Sequence, residues 1–385
     1  MKIGFDVSQT AEEKAGCGFV ADQLIRHLVQ ADHNNDYILY PTFYSYRHPD
    51  FHKAAKPEAQ NCKFHFAGMT FKEMVREWDT PRDDRTAWLG NPDIIHANNF
   101  SCTKDHQARI VYTLYDLTPL VCPEFLFEQN RIVCFNGLFN ASLYADHCIA
   151  ISENTRRDFL YFFPHYPENR ITVIPLGTRP GLKRIEDINL KQNVLEKFGI
   201  SSNDEFWLGV GTIEPRKNYR LLIEAFSALK DDKFLVIAGG EGWLESELGT
   251  LVKQLGLEKR VKFPGYASDL ELSVLYSSCF AFVYPSFYEG FGLPVLEAMS
   301  CGAAVIASKA ASLPEVGGKA ALYIDPQSKG DLAKQMAFLA NHPEKRKGHR
   351  ALSLEQAKKF SWHKAAEILL GVYENTLKNQ PYYGR

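Results

Sequence analysis

Short runs of consecutive apolar residues recur along the chain, separated by longer stretches in which apolar positions return every three or four residues. In the first half the runs are 2–7 (KIGFDV), 37–41, 63–66, 93–96, 109–115 (RIVYTLY), 147–151 (HCIAI) and 171–174. In the second half they are 206–211 (FWLGVG), 234–239 (FLVIAG), 261–263, 280–284 (FAFVY), 303–307 and 321–324. Runs without polar alternation are strands covered on both faces, and amphipathic stretches between them are crossover helices; together they give parallel sheets. The pattern predicts α/β architecture with two doubly wound, Rossmann-like domains.

A length of 385 residues also favours two cores over one. Residues 175–192 (PLGTRPGLKRIEDINLKQ) interrupt the rhythm with proline, glycine and charge. The first domain is therefore placed at 1–178, a linker at 179–198 and the second domain at 199–365.

The net charge of −2, with both signs mixed along the chain, offers no footprint for nucleic acid. The N-terminus MKIGFDVSQT lacks the apolar run of a signal peptide, and no stretch reaches the length of a transmembrane helix, so the expected location is cytoplasmic. Eight cysteines form no C-x-x-C pair, and several lie inside apolar runs, which predicts reduced, buried thiols. The aromatic run RRDFLYFFPHY (156–166) predicts a buried amphipathic helix; peripheral contact with the inner face of a membrane carrying a lipid-linked acceptor is the alternative.

In open parallel sheets, ligands bind beyond the carboxyl ends of the strands. After the strand 280–284 comes PSFYEGFGLPVLEAMSCG, a glycine-bearing turn followed by a helix with Pro294 in its first turn and Gly302 past its end. Glu289 falls in the turn and Glu297 about one helical turn inside. Gly290 and Gly292 let backbone N–H groups approach a ligand, and the helix N-terminus suits a phosphate. Carboxylates there accept from sugar hydroxyls, whereas a turn acid and a solvated helix residue are the ordinary alternatives. After the strand 206–211 comes GTIEPRKNYRLL, with Asn218 as the expected N-cap of a helix over 219–230. Arg216 and Lys217 precede that helix, where two cations are unfavourable unless an anion arrives. Two anion-ready loops in one domain point to a diphosphate.

GVGTIEPRKN and YEGFGLPVLEAMSCG together resemble the retaining, two-Rossmann (GT-B) nucleotide-sugar glycosyltransferases of family 4, also called group 1. The E-x7-E element matches as Glu289 and Glu297. Supporting pieces in the same order include AGCGF, PDIIHANN, YDLTPL, AISENTRRDF, VIPLGT, SLPEVGGKAALYIDP and FSWHKAAEILLGVYE. The resemblance implies two domains facing a central cleft, with a last helix, set at 366–385, returning to the first domain. It implies that Arg216 and Lys217 neutralise the donor diphosphate, that Glu297 binds the ribose, and that Glu289 with the backbone of Gly290, Phe291 and Gly292 orients the hexose. It places Gly16 and Gly18 over the phosphates, Gly211 beside the donor, and the backbone around Tyr266 against the base. Family members commonly carry His-Asp where this chain has Tyr115 and Asp116; Tyr115 can donate a hydrogen bond but is not cationic near neutral pH. Asp116 is the acceptor-side candidate, against an ordinary turn aspartate, and His96 is either a catalytic or a strand-end structural histidine.

The implied reaction moves a hexose with retention to a saccharide or lipid-linked saccharide acceptor. The acceptor hydroxyl attacks on the leaving-group face, and the departing phosphate takes its proton. No Asp-x-Asp motif occurs, so no metal or other cofactor is expected. The GTIEPRKN wording is similar to bacterial mannosyltransferases of cell-surface polysaccharide synthesis. That suggests GDP-mannose, with a UDP-hexose second. A sugar-nucleotide epimerase and a non-catalytic sugar-nucleotide-binding partner remain alternative readings.

Overall fold

The computed structural model describes residues 1–385 except 12–15, 67, 99–100, 202, 241–244 and 383–385. It divides into two compact units, Met1–Gly177 with Ser361–Arg385, and Thr178–Phe360.

The first unit holds seven strands: β1 (Lys2–Asp6), β2 (Asp36–Tyr40), β3 (Cys62–Phe64), β4 (Ile94–Asn98), β5 (Arg109–Leu114), β6 (His147–Ala150) and β7 (Ile171–Val173). They form one parallel sheet in the order β3-β2-β1-β4-β5-β6-β7, with Ile3 opposite both Tyr37 and Ile94. The second unit holds β8 (Phe206–Val210), β9 (Phe234–Ala238), β10 (Val261–Gly265), β11 (Ala281–Tyr284), β12 (Val305–Ser308) and β13 (Ala321–Ile324). These are also parallel, in the order β10-β9-β8-β11-β12-β13. Each predicted apolar run thus becomes a strand, and helices cover both faces. The strand order reverses between β1 and β4 and again between β8 and β11, where doubly wound sheets open a crevice at their carboxyl edge.

The cores explain the apolar runs. Ile38, Tyr40, Ile95, Tyr112, Leu114, Cys148 and Phe159 meet in the first unit, and Trp207, Leu222, Leu235, Ile237, Val283, Ile306 and Met336 in the second. The aromatic run 156–166 belongs to the first of these cores. Its helix, Glu153–Phe162, starts where the Ser152 hydroxyl accepts from the Thr155 N–H. Phe159, Phe163 and Tyr166 are buried, while Tyr161 is exposed. Cys62, Cys148, Cys279 and Cys301 are buried thiols, while Cys17, Cys102, Cys122 and Cys134 are half-buried. No described helix is long and apolar enough to cross a membrane.

Two boundaries differ from expectation. The stretch 179–198 is not simply a linker, because Ile188–Lys197 is a helix of the second unit. The Asp187 carboxylate accepts from the Leu190 N–H, and Val194 and Leu195 are buried, so a cap and a short apolar stripe override the polar composition. The last helix begins at Trp362, four residues before the expected start. Its stripe of Trp362, Ala365, Ala366, Leu369, Val372 and Tyr373 is buried, and Trp362 packs against Phe19 and His27 of the helix Gly16–Ala31.

Candidate active site

At the carboxyl ends of β8 and β11, the two cations and the first glutamate meet. β8 ends at Val210, and Gly211 follows with a φ of +144°. A Cβ there would lie 3.1 Å from the Tyr219 hydroxyl and 3.5 Å from Lys217 Cε, so glycine admits the Lys217 stem. Pro215–Lys217 make one tight turn, and Asn218 takes the left-handed conformation at φ +58° before the helix Tyr219–Phe226. Asn218 does not cap that helix with its side chain, contrary to expectation. Its amide donates instead to the carbonyls of Pro285, 3.1 Å, and Pro326, 2.8 Å, tying the β8 loop to the loops after β11 and β13.

The turn after β11 brings Glu289 underneath. Lys217 Nζ lies 2.7 Å from Glu289 Oε1, and Arg216 Nη1 lies 2.8 Å from Oε2. The Ser286 hydroxyl (2.6 Å) and the Tyr284 hydroxyl (2.9 Å) also donate to Oε1. Lys217 Nζ further donates to Tyr284 Oη, and Arg216 reaches the Tyr288 carbonyl and the Glu214 carboxylate. Glu289 and Lys217 are both buried. Burial opposes ionisation of Glu289, but Arg216 and Lys217 outweigh it and hold the carboxyl at about 2. Burial, then the neighbouring Arg216, lower the Lys217 pKa, against the opposing pull of Glu289. The expectation that these cations await an outside anion is corrected here. Two carboxylates of the same chain, Glu289 and Glu214, already face them.

Glu297 forms a separate cluster. The helix Leu293–Ser300 starts at Gly292, whose φ of +103° and 2.6 Å approach of a would-be Cβ to Leu313 Cδ2 admit only glycine without a shift. Glu297, the fifth residue of this helix, is 1% exposed. Tyr276 Oη donates to its Oε2 at 3.3 Å, and Arg179 Nε stands 3.2 Å from Oε1 in ion-pair contact. The Arg179 guanidinium is thus the charge partner of Oε1. Burial raises the Glu297 pKa, partly countered by Arg179 and Tyr276. Arg179 also bonds Asp269 at 2.8 Å. A carboxylate has lone pairs beyond these two contacts, which a ligand diol can fill.

The remaining expected residues of this unit lie outside both clusters. Gly290 is buried, and Phe291 packs edge-on against Phe360, so its side chain serves the core. Tyr266 is 77% exposed. Arg179, Tyr276, Tyr284 and Ser286 were not expected at the site. A lone arginine in a Pro-Gly stretch is a weak signal, but Tyr284 and Ser286 at a strand's carboxyl end were legible as candidates.

In the first unit, Gly16 and Gly18 open the helix Gly16–Ala31, while Ala15 of AGCGF and Asn99 of PDIIHANN lie outside the described residues. Tyr115, expected to face a ligand, is buried with its hydroxyl 3.2 Å from both the Cys17 carbonyl and Asn98 Oδ1. It ties the end of β5 to the glycine turn. Asp116 Oδ1 accepts from the Thr118 N–H at 2.9 Å, the bond of an ordinary Asx turn. His96 is wholly buried between Tyr373 and Thr113 hydroxyls, and burial lowers its pKa to about 3, so it is a neutral structural histidine. Among the described residues, no group of three or more His, Cys, Asp or Glu is placed to hold a metal.

Comparison with known proteins gives concordant results. The family model described as glycosyl transferases group 1 matches residues 191–351, and that described as glycosyltransferase family 4 matches 15–181. The chain is 33% identical over 286 residues to O-antigen chain mannosyltransferase B of Escherichia coli, covering 73% of this chain and 74% of the relative. It is 34% identical over 279 residues to the serotype-specific mannosyltransferase WbdA of Escherichia coli, covering 70% of this chain but spanning only 34% of that protein. In fold it is similar to sucrose-phosphate synthase from Thermosynechococcus elongatus, with a TM-score of 0.74, 20% identity and coverage of 98% and 99% of the two chains. The chain therefore belongs to the group 1, family 4 glycosyltransferases and has their GT-B fold.

Proposed function

We propose that this glycosyltransferase moves a hexose, with retention and without a metal, from a nucleotide sugar to a saccharide or lipid-linked saccharide acceptor. The favoured donor is GDP-mannose. The observation that carries this reading is the cluster of buried Lys217 and Glu289 with half-buried Arg216 at the switch point of the second sheet, with the Glu297 carboxylate eight residues along the chain from Glu289. Arg216 and Lys217 supply the charge neutralisation that a departing nucleoside diphosphate needs, Glu297 takes the ribose diol, and Glu289 takes hexose hydroxyls. Asp116 and the glycine turn are assigned to the acceptor side and the phosphates, respectively. The mannose donor is supported by the names of the relatives, two of them mannosyltransferases, one acting on O-antigen chains.

A thermal-shift screen of GDP-, UDP- and ADP-sugars tests the donor. A ligand at about 100 times its dissociation constant stabilises its site by about 2.7 kcal/mol, so the true donor class should stand out. GDP-mannose is expected to give the largest shift. A UDP-hexose giving the largest shift replaces the donor, and no shift with any sugar nucleotide overturns the reading.

A further inference from the structure

The contacts of Glu289 go beyond holding a hexose. We propose that, in the donor-free chain, the Glu289 carboxylate occupies the place of the donor's diphosphate on Arg216 and Lys217, and so makes the site prefer an intact sugar nucleotide over the free nucleoside diphosphate. This rests on the sugar-nucleotide reading of the site given above.

Both cations are engaged by this one carboxylate, Lys217 at 2.7 Å and Arg216 at 2.8 Å. With Glu214 also on Arg216, the two positive charges face two negative ones. An incoming diphosphate can take the cations only if Glu289 gives them up. A buried carboxylate deprived of its cations is costly, and like charge beside it raises that cost. Two neutral donors, Ser286 at 2.6 Å and Tyr284 at 2.9 Å, stay close to Oε1, but they do not replace two cations. An intact donor brings hexose hydroxyls, which donate to the displaced carboxylate. A free nucleoside diphosphate brings no such donors, and its terminal phosphate adds negative charge. Glu289 therefore makes the exchange favourable for substrate and unfavourable for the spent product, which promotes product release.

Calorimetry with GDP and GDP-mannose, and with UDP and UDP-glucose alongside, tests this on the wild type, Glu289→Gln and Ser286→Ala. The wild type should bind the sugar nucleotide more tightly than the free diphosphate. Glu289→Gln, which keeps the volume and removes the competing charge, should bind the free diphosphate about tenfold or more tightly than the wild type and lose the preference. Ser286→Ala keeps every charge but removes a donor that stays with the displaced carboxylate, so it should weaken binding of the free diphosphate by about threefold. If Glu289→Gln binds the free diphosphate no better than a wild type that binds the sugar nucleotide, the place-holding role is overturned and the donor site stands. Should Glu289→Gln fail to fold, an unchanged affinity of Ser286→Ala for the diphosphate overturns it. A wild type that binds neither ligand removes the sugar-nucleotide reading and this proposal with it.

Discussion

Replacing Glu297 with Gln separates ligand binding from folding more cleanly than any other change at the site. Glu297 is 1% exposed, with Arg179 at Oε1 and Tyr276 at Oε2. Burial raises its pKa, so ionisation is disfavoured in the folded state. A raised carboxyl pKa means stability is lost as pH rises from the unfolded value through the folded one, and that penalty is present in full above the folded value. Gln removes the penalty and also removes the partner of Arg179. Arg179 keeps its 2.8 Å bond to Asp269 and is part-exposed, so the cost should stay well below the about 3–5 kcal/mol of an orphaned buried charge. The two effects oppose one another, and thermal denaturation should change little. Binding should respond strongly, because hydrogen bonds from a ribose diol to a charged acceptor contribute about 1.5–3 kcal/mol, or about tenfold to 150-fold in affinity. Calorimetry should show that loss equally for nucleoside diphosphate and sugar nucleotide, which share the ribose. Unchanged affinity for both, in a folded variant, refutes the assignment.

Lys217→Ala should weaken diphosphate binding by about tenfold to a hundredfold in calorimetry while the protein stays folded, because Glu289 keeps Arg216, Ser286 and Tyr284. Glu289 titrates at about 2 in the folded chain against 4.5 ordinarily, so its stabilisation is complete above about pH 4.5 and is lost as pH falls towards 2; denaturant unfolding across that range should show a shallower acid loss in Glu289→Gln. Transfer activity should persist in EDTA, and complete loss with rescue by Mg²⁺ or Mn²⁺ would reject a site that works by Arg216 and Lys217 alone.

The sequence carried the architecture because parallel strands are covered on both faces, and their uninterrupted apolar runs, from KIGFD to ALYI, stand out from the helices between them. Local polar composition misled where tertiary context decided. The helix Ile188–Lys197 hid in a charged stretch, and Asn218 gave its amide to two distant carbonyls in place of a cap. The charged residues of the site were legible one loop at a time, since Arg216, Lys217, Glu289 and Glu297 all follow strand ends. Their pairing was not. Lys217 and Glu289 are 72 positions apart and meet because β8 and β11 are neighbours, a consequence of strand order that no local pattern encodes. The link from Tyr115 to Cys17 across 98 positions likewise follows from strand order, which sets β5 two places from β1.

Hexose transfer from a nucleotide sugar can be read in a single reaction by proton and phosphorus NMR. Purified protein is incubated with GDP-mannose, and in parallel with UDP-glucose, in EDTA, with and without lipid-linked saccharides extracted from bacterial membranes. Acceptor-dependent release of the nucleoside diphosphate is expected, matched mole for mole by a new glycosidic linkage with the donor's anomeric configuration. Intact donors in every reaction, or a diphosphate released without any new linkage, would contradict it.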